Sequence, residues 1–473
     1  MIAKLKNYSE FSEISNTESL VYIYKNIDEF KSLSDDEKLY KFIESQIDRK
    51  KDISYLKSID QVQVFVHIGE GDSRVDVLEK LRRKAAEVHE LIKSSGAENS
   101  AIICDNNEYQ IAFVEGLVLK NYTFNKYISE TDKWFLKEIN VRFNNEESGL
   151  SDILSAVYWS RDLVNEPPSH LTARNLSDRL ETLSENSEIE VEVFGKSKIE
   201  ALKMGGLLGV NMGSVQEPTF NILTYKPKNA RNKKPIVLVG KGVVYDTGGI
   251  NLKPTGYLET MKSDMSGSAV VSGLIKAIAA NKLPVYMIVL IPATDNRPGK
   301  DAIVPGDILT MYNGKTVEVI NTDAEGRLIL ADGLAFADKF DPELVLSVAT
   351  LTGAAQAAFG TKVIAAMGNA DEKMKDLISA GFETGERVAE LPFWDDYGDE
   401  VKSKIADLKN LGGKTAGAIT AGKFLENFTK SPYLHLDIAG VSFMDSDDHY
   451  RPAGGTGSGV RLLYKFIENS ILK

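Results

Sequence analysis

Apolar positions recur along this chain with two spacings, two residues and about 3.6 residues, and the changes between them outline its elements. Val62–His67 reads Val-Gln-Val-Phe-Val-His, a strand, and the stretch 73–95, rich in both charge signs, carries apolar residues at helical spacing. A second strand at 101–104 precedes a helical stretch at 109–119. The polar, turn-rich run Phe-Asn-Asn-Glu-Glu-Ser-Gly at 143–149 marks a domain boundary. A helix over Leu150–Asn165 follows, and Pro167 and Pro168 end it. The chain then becomes strongly α/β. Strands are expected at Ile189–Phe194, 221–225, 235–239, 285–291, 316–320 and Leu344–Ala349, with helices at 269–280 and 328–340 between some of them. This alternation predicts an α/β protein of two domains. A smaller N-terminal α/β domain occupies 1–145, and a larger C-terminal domain at 150–473 has a mixed sheet covered by helices on both faces.

Composition narrows the function classes. The 473 residues, 43% hydrophobic and 26% charged, are ordinary for a globular protein with ample core. A net charge of −12 disfavours nucleic acid and anionic membranes as partners. The lone cysteine, Cys104, excludes an internal disulfide, fits a reducing compartment and reads as core at the end of a strand. The first residues form no apolar leader, and no run approaches the roughly 20 apolar residues of a membrane span. A cytoplasmic protein is expected.

The densest chemistry lies in the octet Asn-Thr-Asp-Ala-Glu-Gly-Arg-Leu at 321–328, after the strand-like run at 316–320. In an extended segment residues two apart share a side, so Asp323 and Glu325 are expected to aim at one point, next to Arg327. If that strand belonged to an open α/β sheet, its C-terminal end would be where ligands bind. A second cluster lies upstream. Lys241 follows the strand at 235–239 almost directly, Asp246 and Lys253 flank a glycine-rich turn, and Asp264 precedes a helix. Four carboxylates match two divalent cations, which together activate water and polarise a carbonyl. Between positions 235 and 360 there is neither histidine nor cysteine, so these segments offer oxygen ligands and an amine. Such a set suits Mg and Mn, and Zn accepts it. Lys241 could ligate only as a neutral amine, which an adjacent dication favours.

These residues resemble the signature of the leucyl aminopeptidase (cytosol aminopeptidase) family. The octet is intact, and the Lys241, Asp246, Lys253 and Asp264 spacing agrees position by position. The likeness continues through Ala-Thr-Leu-Thr-Gly-Ala at 349–354, Leu-Val-Asn-Glu-Pro-Pro at 163–168, Gly-Ala-Ile-Thr at 417–420, His-Leu-Asp-Ile-Ala-Gly at 435–440 and Thr-Gly-Ser-Gly-Val-Arg at 456–461. The resemblance implies a metal-dependent aminopeptidase acting on peptides with a free N-terminus, with two divalent ions per subunit, Zn or Mn with Mg also admitted. It implies that Lys241, Asp246, Asp264 and Glu325 bind the tighter metal, and that Asp246, Asp323 and Glu325 bind the exchangeable one. Arg327 would hold a bicarbonate ion as general base, and Lys253 would steady the oxyanion. Met261, Thr350 and Gly353 would line the first side-chain pocket, while the Leu351 carbonyl meets the substrate backbone. A homohexamer is also implied. Ser347 departs from the Asp or Asn of many members, and Ser263 and Ser266 replace an aromatic residue and a cysteine.

Two other readings compete. Clustered carboxylates also hold metals for a dinuclear phosphoesterase, though the lysine spacing counts against it. A DNA-binding or regulatory role is opposed by the net acidity. Gly-Gly-Lys-Thr at 412–415 resembles the end of a phosphate loop, but Leu408 stands where that motif requires glycine. It is read as the lead-in to a helix at 415–427. The five histidines read as structural or exposed, His435 as packed.

Overall fold

A computed structural model of the chain describes residues 2–130, 134–143 and 149–472. The chain divides into two compact units, Met1–Tyr158 with Ser446–Ala453, and Trp159–Asp445 with Gly454–Lys473. Most of the expected boundary run at 143–149, namely 144–148, lies outside the described residues.

The first unit is built on a six-stranded sheet in the order Lys4–Asn7, Glu138–Val141, Asn99–Ile103, Ser19–Tyr24, Val62–His67, Ile53–Lys57. All neighbours pair in parallel except the last, an antiparallel edge strand. Ser19–Tyr24 is buried along its whole length, as a central parallel strand must be. The expected helix at 73–95 is Arg74–Ser95, with Ser73 accepting from the Asp76 N–H and Gly96 closing the helix at φ 82°. Ser446–Ala453 packs within this unit, and Lys120 donates to Asp447 Oδ2 at 2.6 Å. Cys104 is 8% exposed, and burial pushes its thiol up to about 12, as fits a core residue.

The second unit carries a nine-stranded mixed sheet, and its strands run Val388–Glu390, Ile364–Gly368, Tyr433–Asp437, Leu344–Ala349, Ile236–Gly240, Met287–Asn296, Thr219–Tyr225, Ile189–Phe194. Gly242–Asp246 pairs with the far end of Met287–Asn296. The four middle strands, from Tyr433–Asp437 to Met287–Asn296, are mutually parallel and buried. Their C-terminal ends therefore lie along one edge. Helices cover both faces. A Cβ on Gly240 would fall 2.9 Å from the Ser268 Cα of helix Ser266–Ala280, and one on Gly333 of helix Gly326–Ala337 would fall 2.7 Å from Val239 Cγ1. Val239 and Gly240 are neighbours on a strand and point oppositely, so the two helices lie on opposite faces.

The strand expected at 316–320 is placed elsewhere than in the main sheet. Thr316–Glu318 lies in a separate three-stranded sheet with Ile308–Thr310 and Leu408–Lys409. Its alternation shows which face is buried and says nothing about which strand it pairs with.

Candidate metal centre

Lys241 leaves the end of Ile236–Gly240 and turns inward. Its side chain is 3% exposed, with Nζ 2.7 Å from Asp264 Oδ1 and 2.9 Å from Glu325 Oε1, and it donates to the Thr350 carbonyl at 3.1 Å. Room for it comes from Gly326, where a Cβ would sit 2.4 Å from Lys241 Cε. Lys253 forms a second clamp, its Nζ 2.8 Å from Asp246 Oδ2 and 2.6 Å from Asp323 Oδ1. Two ammonium groups thus share four carboxylates. Burial opposes both charges, yet the surrounding Asp246, Asp264 and Glu325 outweigh it and hold both lysines above their ordinary range. Burial and the neighbouring Asp246 push Asp323 up to about 6.

The carboxylates come from four kinds of local structure. Asp246 ends a strand, and its Oδ1 accepts from the Gly248 N–H and from Asn296 Nδ2, both at 2.8 Å. Asp264 lies in the 3-10 turn Met261–Met265 ahead of Ser266–Ala280, and accepts from Thr350 Oγ1 at 2.8 Å. Asp323 lies in a turn, and Glu325 caps helix Gly326–Ala337 with helical backbone, φ −77° and ψ −36°. Asp323 and Glu325 therefore converge through a turn entering a helix, which corrects the strand alternation expected for them. Glu325 at a helix N-terminus also meets the positive end of the helix dipole.

The residues fit divalent cations. Ligand oxygens of Asp246, Asp323 and Glu325 lie within 4.8 Å of one another. Asp264 Oδ2 and Glu325 Oε2 are buried with no hydrogen-bond partner among the described residues. Buried carboxylate oxygens without a donor are costly, and an oxygen-rich cluster with an amine is a donor set for hard or borderline dications. Asp264 lies on the Lys241 side, outside the close trio.

Arg327 is 5% exposed, and its Nε and Nη1 have no partner among the described residues. Burial lowers its pKa to about 10, so it stays charged at neutral pH. Thr350 and Leu351 follow Leu344–Ala349 at the same sheet edge as Lys241, and Leu351 N–H donates to Asp437 Oδ1 at 3.1 Å. Gly353 opens helix Gly353–Phe359, and Met261 opens the turn that carries Asp264.

Residues outside the expected ligand set complete the frame. Asn296 Nδ2 also donates to the Thr322 carbonyl at 3.1 Å, tying the Asp246 strand to the octet. Thr322 Oγ1 donates to the Gly248 carbonyl at 2.6 Å and accepts from the Asn251 N–H at 2.9 Å. No local signal marks Asn296, the last residue of Met287–Asn296, because its partners Asp246 and Thr322 are distant in sequence. Ser347 hydrogen bonds Tyr433 OH at 2.6 Å and His435 Nδ1 at 2.7 Å. Burial, with the Arg327 charge, lowers His435 to about 3, so it is a neutral, packed residue.

The model of the cytosol aminopeptidase family's catalytic domain matches residues 158–464, a span that contains every residue of this centre. The chain belongs to the cytosol aminopeptidase family. Within the family it is similar to the probable cytosol aminopeptidase of Geobacter sulfurreducens, 40% identical over 423 residues, which are 86% of this chain and 85% of that one. It is 49% identical over 312 residues to the probable cytosol aminopeptidase of Chloroherpeton thalassium. That match takes in 65% of this chain and 61%, less than two thirds, of the relative. The fold of the solved bottromycin maturation enzyme BotP in complex with Mn is also similar, with a TM-score of 0.85, 28% identity, and coverage of 96% of this chain and 99% of that one.

Proposed function

We propose that this family member is a leucyl-type aminopeptidase that releases single residues from the free N-termini of peptides. The observation that carries this reading is the pair of lysine clamps on four carboxylates, with buried, unpartnered oxygens on Asp264 and Glu325. Lys241, Asp246, Asp264 and Glu325 would hold one divalent ion and Asp246, Asp323 and Glu325 a second, with Zn, Mn or Mg as candidates. Such ions supply Lewis acidity that polarises a carbonyl and lowers the pKa of water.

The chain's own groups then divide the work. Asp264 accepts from the substrate's free amine, so a blocked terminus loses its anchor. Lys253 Nζ meets the negative charge that grows on the scissile carbonyl oxygen, where a fixed cation in a dry site is worth most. Arg327 Nε and Nη1, without a partner among the described residues, would hold a bicarbonate anion, and that ion would supply a general base for the water. Met261, Thr350 and Gly353 bound the pocket for the first side chain, and the Leu351 carbonyl accepts from the substrate backbone. A cytoplasmic homohexamer belongs to the same reading, and mass measurement in solution tests the assembly.

The decisive assay follows release of an aminoacyl-arylamide with Mn or Zn, before and after chelation. Activity should vanish on chelation and return with metal, and undiminished turnover by the fully metal-free protein would sink the proposal. Lys253→Ala should lower turnover about 100-fold or more with metal content unchanged. Phosphoester turnover exceeding peptide turnover would favour a phosphoesterase instead.

A further inference from the structure

The paired ends of Gly242–Asp246 and Met287–Asn296, whose register shifts between Val243 and Asp246, present two different chemistries. Asp246 and Asn296 are register partners and face the metal centre together. Tyr245, Asp295 and Arg297 line a half-open cleft of about 410 Å³ whose lining includes none of Lys241, Asp246, Lys253, Asp264, Asp323 and Glu325.

An unmet polar demand lies buried in the wall of this cleft. Asp295 is 5% exposed, and its Oδ2 accepts from Arg297 Nε at 2.9 Å. Its Oδ1 is buried without any hydrogen-bond partner among the described residues. The Arg297 guanidinium lies over the Tyr245 ring, 4.7 Å from its centroid, and commits only Nε to Asp295. Leu171 and Val244, both buried, and Pro168 form an apolar wall. A carboxylate oxygen lacking a donor carries a desolvation cost that a bound N–H would relieve. The pair is neutral as a whole, which favours neither a simple cation nor a simple anion. It offers an acceptor at Asp295 and cationic donors at Arg297, beside apolar surface. The complementary molecule carries an ammonium, a carboxylate and an apolar side chain. The volume sits at the small end of ligand pockets, which span roughly 300–1,000 Å³.

We propose that this cleft is a second, non-catalytic site for a free apolar α-amino acid, its ammonium on Asp295 and its carboxylate on Arg297. Tyr245 links the site to its surroundings, since its OH donates to the Leu258 carbonyl at 3.0 Å, in the turn that follows Lys253. A ligand that holds Arg297 on the ring holds that turn as well.

Equilibrium dialysis with labelled L-leucine tests this, using the metal-loaded protein and a Glu325→Ala variant that disables the metal centre. Glu325→Ala should still bind one leucine per chain. Adding Arg297→Met or Asp295→Asn should weaken that binding about tenfold or more, the scale of one lost charge-assisted hydrogen bond. The metal-loaded wild type should lose one site on Arg297→Met alone. N-acetyl-leucine and leucinamide, each lacking one charge, should compete at least tenfold less well. No leucine bound by Glu325→Ala, or binding unmoved by both cleft substitutions, would overturn the proposal. If Asp295→Asn does not fold, Arg297→Met carries the test, because that side chain is 39% exposed. Peptide turnover is measured separately, so failure here leaves the aminopeptidase reading standing.

Discussion

At the scale of single residues, the centre is a cluster of negative charge balanced from within. Lys241 and Lys253 sit between carboxylates at 2.6 to 2.9 Å, so the protein without metal already carries two cations among the ligands. The charged residues of this arrangement were legible in the sequence, because their spacing in two motifs is a local property. Asn296 was not, since its partners Asp246 and Thr322 are 50 and 26 residues away. Its amide orients one carboxylate and anchors the octet at once. Asn296→Ala should weaken metal affinity about 10–100-fold with little change in folding, as metal titration of the variant followed by activity would reveal. Wild-type affinity in that variant would show that Asp246 needs no such support.

At the scale of elements, helix Gly326–Ala337 has two duties. Its first residue leaves space for Lys241, and Gly326→Ala would place a Cβ 2.4 Å from Lys241 Cε. Alanine is the better helix former by about 1 kcal/mol. The variant should therefore keep a melting temperature near that of the wild type while losing tenfold or more in turnover, and unchanged turnover would show that Lys241 relocates at no cost. Further along, Asp332 is buried and accepts from the N–H groups of Leu207 and Tyr312. Burial pushes its carboxyl up to about 7 from 3.8, against the pull of those donors. The folded state then holds the proton more tightly than the unfolded state. Its stabilising contribution is full below about pH 3.8 and is lost as pH rises to about 7. Denaturant melts of wild type and Asp332→Asn across that window should diverge, with the wild type losing more stability as pH rises. The glycine and the acid are both visible in the sequence, but the neighbours that give them meaning are not local.

At the scale of the whole molecule, the centre draws on strand ends, helix starts and turns spread from Lys241 to Thr350. Any cation that binds this assembled set and not the unfolded chain must stabilise the fold. Mn or Zn added to chelated protein should raise the melting temperature, by about 2.7 kcal/mol of stability at 100 times the dissociation constant. Glu325→Ala should abolish most of that rise, and an equal rise in the variant would place the binding elsewhere. The same scale explains the placing of one strand. The run at 316–320 has the pattern of a half-buried strand, and it is one, but it belongs to the small sheet with Ile308–Thr310 and Leu408–Lys409.

The sequence by itself determined which residues carry charge, their spacing, the α/β alternation and the resemblance to the cytosol aminopeptidase family. All of these are written in local order along the chain. Only the tertiary structure decided that Asp323 and Glu325 meet through a turn and a helix start, that Gly326 is a vacancy cut for Lys241, and that Asn296 braces Asp246. It also placed Asp295 and Arg297 in the lining of one cleft. The physical reason is common to all four. A period of two or 3.6 residues fixes which way a side chain points within its element, while the group it meets there is set by packing between elements distant in sequence.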